Sequence, residues 1–104
     1  MEIVFNGHDN VVKLRVIAYQ DGTRTPVNFS AVTSMRLEVP SLGTNITSGF
    51  SWNSAGEVTI TGLGQAGLPV GEYPVNLIAF DADHPLGQIL VHENSGKLVL
   101  KVLA

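Results

Sequence analysis

The chain has 104 residues, of which 14% are charged, with no cysteine and a formal net charge of -3 at pH 7. This length is typical of one domain with one hydrophobic core, so we expect residues 1–104 to form a single domain. The lack of cysteine excludes disulfides, thiol catalysis and cysteine-ligated zinc, and six scattered basic residues in an acidic chain argue against a nucleic-acid partner.

Apolar and polar residues alternate along the chain with the period of β-strands. Val12 and Leu14 alternate with Lys13 and Arg15 within residues 11–19, which predicts a strand with one buried face. An Asp-Gly pair follows it, and this pair tolerates the positive φ of tight hairpin turns. The other predicted strands are residues 2–5, 32–39, 45–47, 50–52, 57–61, 72–81, 88–92 and 97–103.

The segment 72–81 is the longest of these predicted strands, and we expect it to be central. One of its faces carries the apolar residues Tyr73, Val75, Leu77 and Ala79. Its second face carries Ile78 and Phe80, so this face is expected to be covered by another layer or by a partner.

The sequence as a whole predicts an all-β fold. No window has apolar residues at helical spacing, and 11 glycines and 5 prolines fall mostly between the predicted strands. We therefore expect a single antiparallel immunoglobulin-like β-sandwich of about seven to nine short strands. Phe50 and Trp52 would share a face in such a strand, and a core position is expected for Trp52.

A glycine-rich segment, residues 62–67, matches the dinucleotide-binding fingerprint, and Asp81 follows about 20 residues later. The fingerprint needs a helix whose first turn meets the pyrophosphate. Pro69 and Gly71 interrupt any helix at this point, so we expect a loop and no cofactor.

Residues 81–84 combine two carboxylates with an imidazole, which suits either a metal ion or a turn. Pro85 and Gly87 follow directly and no calcium-loop spacing is present, so we favour a turn and expect no metal. Partner contact through Asp83 and His84 remains the alternative. No serine lies in a nucleophile-elbow motif, and we do not expect an enzyme.

Three segments carry a resemblance to a known class of proteins. They read Ser-Ala-Val-Thr-Ser-Met-Arg-Leu at residues 30–37, Leu-Pro-Val-Gly-Glu-Tyr at 68–73 and Phe-Asp-Ala-Asp-His-Pro-Leu-Gly at 80–87. The chain resembles small immunoglobulin-like β-sandwich virion proteins of tailed bacteriophages. The resemblance implies a capsid decoration protein, or a tail or baseplate accessory protein.

The resemblance also implies a location in the virion, other virion proteins as partners and a homo-oligomer in the assembled particle. Synthesis in the host cytoplasm is expected, because the first residues lack a secretory signal, and no stretch reaches the about 20 apolar residues of a membrane span. The candidate partner-binding residues are Asp83, His84, Ile78 and Phe80. A carbohydrate- or receptor-binding module that uses Trp52, Tyr73 and the loop around Asp83 and His84 is the alternative.

Overall fold

The computed structural model describes residues 1–20 and 22–104, which form twelve short strands and three 3-10 helices of three residues each. The strands are β1 (Glu2–Phe5), β2 (Val11–Arg15), β3 (Ile17–Gln20), β4 (Thr23–Pro26), β5 (Ser34–Val39), β6 (Thr44–Ile46), β7 (Phe50–Trp52), β8 (Glu57–Thr61), β9 (Gly71–Pro74), β10 (Asn76–Asp81), β11 (His84–Val91) and β12 (Val99–Leu103). No helix in the described part of the chain is long and apolar enough to cross a membrane.

The described strands pair into four sheets, which we group into two main layers and a hairpin. One layer contains the sheet β1-β12-β9 and the sheet β11-β10-β5-β6. These two sheets are joined through β9 and β10, which only Val75 separates. The other layer has the order β2-β8-β7, and β3 pairs with β4 as a separate hairpin. Pairing among the described residues is antiparallel except between β1 and β12. The predicted all-β antiparallel fold class is confirmed, and the layers are compatible with a β-sandwich.

The core lies between the two layers. Val12 of β2 and Ile60 of β8 belong to the same buried apolar cluster as Leu37, Leu77 and Leu100 of the larger layer. β5, β8 and β12 place every second side chain in this cluster, as the sequence alternation predicts. Each fully buried aliphatic side chain stabilises the fold by about 1.5–3 kcal/mol relative to an exposed one.

The structure has twelve strands in its described part, where the sequence predicts seven to nine, because two long runs are interrupted and because Thr23–Pro26 forms the strand β4, which the sequence analysis does not predict. The run 11–19 is interrupted at Val16, whose N–H donates a hydrogen bond of 2.8 Å to the carbonyl of Gly56. The run 72–81 is interrupted at Val75, between β9 and β10. A backbone group that bonds outside the ladder divides one continuous apolar run into two shorter strands.

Asn76 holds the segment that joins β11 to β12. Its side chain is buried, the Oδ1 atom accepts a hydrogen bond of 2.7 Å from the N–H of Glu93, and Nδ2 lies 3.3 Å from Oε1 of Glu38. A buried amide that makes both bonds keeps its two neighbours in place. The held segment leads directly to Lys97 and Leu98.

Candidate functional site

The hairpin formed by β10 and β11 is the candidate functional site. Its last pair is Asp81 opposite His84, so the turn itself consists of Ala82 and Asp83. The Asp81 Oδ1 atom accepts hydrogen bonds of 2.9 Å and 2.8 Å from the N–H groups of Asp83 and His84. An aspartate that bonds to the backbone two and three residues ahead builds a tight turn, which confirms the predicted turn chemistry.

The side chain of His84 adds a third contact to the same oxygen. Its Nδ1 atom lies 2.8 Å from Oδ1 of Asp81, and the imidazole remains half exposed. This side-chain hydrogen bond is the main cause that lowers the pKa of Asp81 below its usual value, and the two backbone N–H groups act in the same direction. With a neutral imidazole, the bond requires the proton to be on Nδ1.

The structure separates the four predicted docking residues into two pairs. Asp83 and His84 are exposed at the tip of the hairpin, where a partner can reach them. Ile78 is only 5% exposed, and the ring of Phe80 is half-buried with the guanidinium carbon of Arg36 5.1 Å from its centroid. The chain therefore covers much of the apolar face that the sequence assigns to a partner.

Gly87 shows how closely the hairpin packs on that face. It has a φ of 89°, and a Cβ atom at this position would lie 2.5 Å from Cγ2 of Ile78 and 2.9 Å from Cε1 of Phe80. A side chain does not fit there, so the glycine permits the close approach. With only 5% of its surface exposed, Ile78 offers a partner very little to contact, and we do not include it in the proposed docking surface.

Sequence reasoning missed the most exposed apolar residue of the hairpin. Leu86 is 92% exposed and Ile89 is 53% exposed, and both belong to β11. The sequence predicts a turn through residue 87, because proline and glycine flank Leu86. The structure instead begins β11 at His84. A leucine between two turn-forming residues is the signal that could have identified this position.

The position of β11 in its sheet explains why proline occurs within it. β11 is the end strand of the order β11-β10-β5-β6, and its outer edge has no strand partner in the described part of the chain. Pro85 lacks an N–H group, and such a residue is tolerated on an end strand. The pairing of β10 with β11 also shifts register twice, which is typical of protected sheet edges.

The glycine-rich segment 62–67 has a packing role. It forms a 3-10 helix, Leu63–Gln65, of only three residues. Gly64 is buried against the backbone carbonyls of Phe5 and His8, and its own carbonyl accepts a hydrogen bond of 2.9 Å from the N–H of Gly7. The glycine lets this segment contact the end of β1.

The two aromatic residues of the carbohydrate-binding alternative are engaged inside the fold. Trp52 is half-buried opposite Val58 and packs against the core without belonging to it, so the predicted core position holds only in part. Tyr73 is 9% exposed, and its hydroxyl donates a hydrogen bond of 2.8 Å to the carbonyl of Pro69. The Tyr73 ring therefore offers no open face to a sugar.

Comparison with family models, with curated proteins and with solved structures gives no match to this chain. Among the described residues, no three histidine or acidic side chains lie close enough together to hold a metal ion.

Proposed function

We propose that the chain is a non-enzymatic structural module of a tailed-phage particle, and that it decorates the capsid by docking through the β10–β11 hairpin. The observation that carries this proposal is the exposure of Leu86 on a hairpin whose turn is held by three hydrogen bonds to one oxygen of Asp81. A rigid turn presents its neighbouring side chain at a small entropic cost, which favours binding.

The hairpin fits a partner surface of definite chemistry. Leu86 fits an apolar pocket on the partner, because burial of a leucine side chain contributes about 1.5–3 kcal/mol to the free energy of binding. The exposed carboxylate of Asp83 lies nearby in the chain and suits a basic group at the rim of that pocket. The major capsid protein is the proposed partner, and a tail or baseplate protein is the second candidate.

We also propose that the sandwich is immunoglobulin-like. Two observations support this arrangement: β1 runs parallel to β12 at the edge of the larger layer, and the smaller layer has the order β2-β8-β7. Tyr73 adds a third, since a tyrosine at the start of a strand that bonds to a carbonyl four residues earlier resembles the tyrosine corner of such domains.

Self-association in the assembled particle is part of the same proposal. Ile3 and Phe5 are exposed on β1, which is the end strand of its sheet. Exposed apolar side chains on an end strand favour contact with another chain. Light scattering of the purified protein and of the protein bound to particles measures the oligomeric state directly.

Particles produced without this protein provide the test of docking. The purified wild-type chain and the Leu86→Ser variant are added to such particles, and bound protein is measured after sedimentation. We expect the variant to bind about tenfold to a hundredfold more weakly, as loss of the leucine contact implies. Isolated heads and isolated tails distinguish the capsid from the tail.

Val70→Ser is the matched control, because Val70 is also exposed but lies outside the hairpin. This control is expected to bind as the wild type does. Equal binding by all three proteins would exclude the hairpin as the docking element, and failure of the wild type to bind either heads or tails would overturn the proposed function.

A further inference from the structure

A cleft of about 360 Å³ lies between the segment β2–β3–β4 and the C-terminal end of β11. Its apolar lining comes from three separate parts of the chain: Leu14, Val16, Ile17, Leu90, Val91 and Leu98. An aliphatic surface that is already concave can take up an apolar side chain without rearrangement of the backbone.

Three basic side chains line the same cleft. Arg15 comes from β2, Arg24 from β4 and Lys97 from the segment before β12. They are half of the six basic residues in a chain whose net charge is -3. The guanidinium of Arg15 lies 3.9 Å from a carboxylate oxygen of Glu57, and both side chains are more than half exposed. Such an exposed ion pair contributes little to the stability of the fold, so the guanidinium can still bind another carboxylate.

A free sheet edge adjoins the cleft. β11 has no strand partner on its outer edge among the described residues. Leu90 and Val91, which line the cleft, are the last two residues of β11. Unpaired backbone groups at such an edge can hydrogen-bond to an extended peptide.

We propose that this cleft binds an extended peptide segment in which carboxylate side chains alternate with aliphatic ones. The aliphatic side chains enter the apolar cleft, the carboxylates meet Arg15 and Lys97, and the peptide backbone pairs with the end of β11. The basic residues give the cleft a charge opposite to the net charge of the chain. This favours a partner segment that is acidic over one that is basic. The site does not depend on Leu86 or on the hairpin tip.

The test uses the full chain and a short acetylated peptide of alternating glutamate and leucine. Binding is followed by two-dimensional amide NMR, which also locates the peptide on the chain. We expect shifts at the amides of residues 14–17, 89–91 and 97–98, and weaker binding as salt is raised. A peptide with lysine in place of glutamate is expected not to bind.

The double variant Arg15→Gln with Lys97→Gln is expected to weaken binding of the glutamate-leucine peptide by about tenfold or more, since it removes two charged contacts. The matched control is Lys13→Gln with Lys101→Gln, which changes the net charge equally at positions that do not line the cleft. The control is expected to bind within about twofold of the wild type.

Three results would overturn the proposal: no shift in the cleft amides, equal weakening by both double variants, or equal binding of the lysine peptide. Melting temperatures of both variants show that the fold is retained. Because Leu86 is unchanged in these proteins, particle binding can be measured on them separately, and failure of this site leaves the docking test unaffected.

Discussion

Replacement of Gly87 by alanine is expected to destabilise the fold by about 2–5 kcal/mol. The residue has a φ of 89°, where an L side chain costs about 1–2 kcal/mol. The new methyl group would lie 2.5 Å from Cγ2 of Ile78 and 2.9 Å from Cε1 of Phe80, and overpacking of this kind costs about 1–3 kcal/mol.

The matched control is Gly96→Ala. Gly96 also has a positive φ, 65°, but no atom lies within 4 Å of the position its Cβ would take. It should therefore show the conformational cost alone, about 1–2 kcal/mol. Urea unfolding of both variants measures the difference. Equal destabilisation would refute the packing of the hairpin on Ile78 and Phe80, because the steric part would then be absent.

Three other substitutions have expected outcomes. Asn76→Ala is expected to lower the free energy of unfolding in urea by about 1–3 kcal/mol, because the N–H of Glu93 loses its acceptor. In the control, Asn45→Ala, the exposed side chain is removed and the free energy of unfolding is expected to change by less than about 0.5 kcal/mol. Tyr73→Phe is expected to cost about 0.5–1.5 kcal/mol through loss of the hydroxyl bond, and a value near zero would contradict that bond. Asp81→Ala is expected to lower the melting temperature at neutral pH. Its native pKa is depressed below 3.8, so the carboxylate's contribution is present above that pH and lost as pH falls through the native pKa; the gap to the wild type should narrow in acid.

Local patterns predicted most of the strands and their buried faces. In residues 34–39, Met35, Leu37 and Val39 are buried while the residues between them are not, as period-two alternation requires. The turn at Asp81 was also predictable, because aspartate makes short-range bonds to the backbone that follows it. Such features depend on neighbours a few residues away.

Features that depend on distant parts of the chain were not predictable. The sequence leaves open whether another layer or a partner covers the face of Ile78, and it is β11, packed closely at Gly87, that covers Ile78. The basic cleft likewise joins Arg15 and Lys97, which are far apart in sequence and meet only through the pairing of strands. In the local sequence, the proline beside Leu86 indicates a turn. A strand is possible at this position because β11 is the end strand of its sheet, where a proline is tolerated.

We propose that this chain docks on a phage particle through the β10–β11 hairpin. A cryo-microscopy map of particles that carry the protein tests it most directly. We expect density for a small two-layered β domain on the outside of the particle, with Leu86 inserted into an apolar pocket of a shell protein. A map in which the hairpin points into solvent, or in which no such domain is found on head or tail, would contradict it.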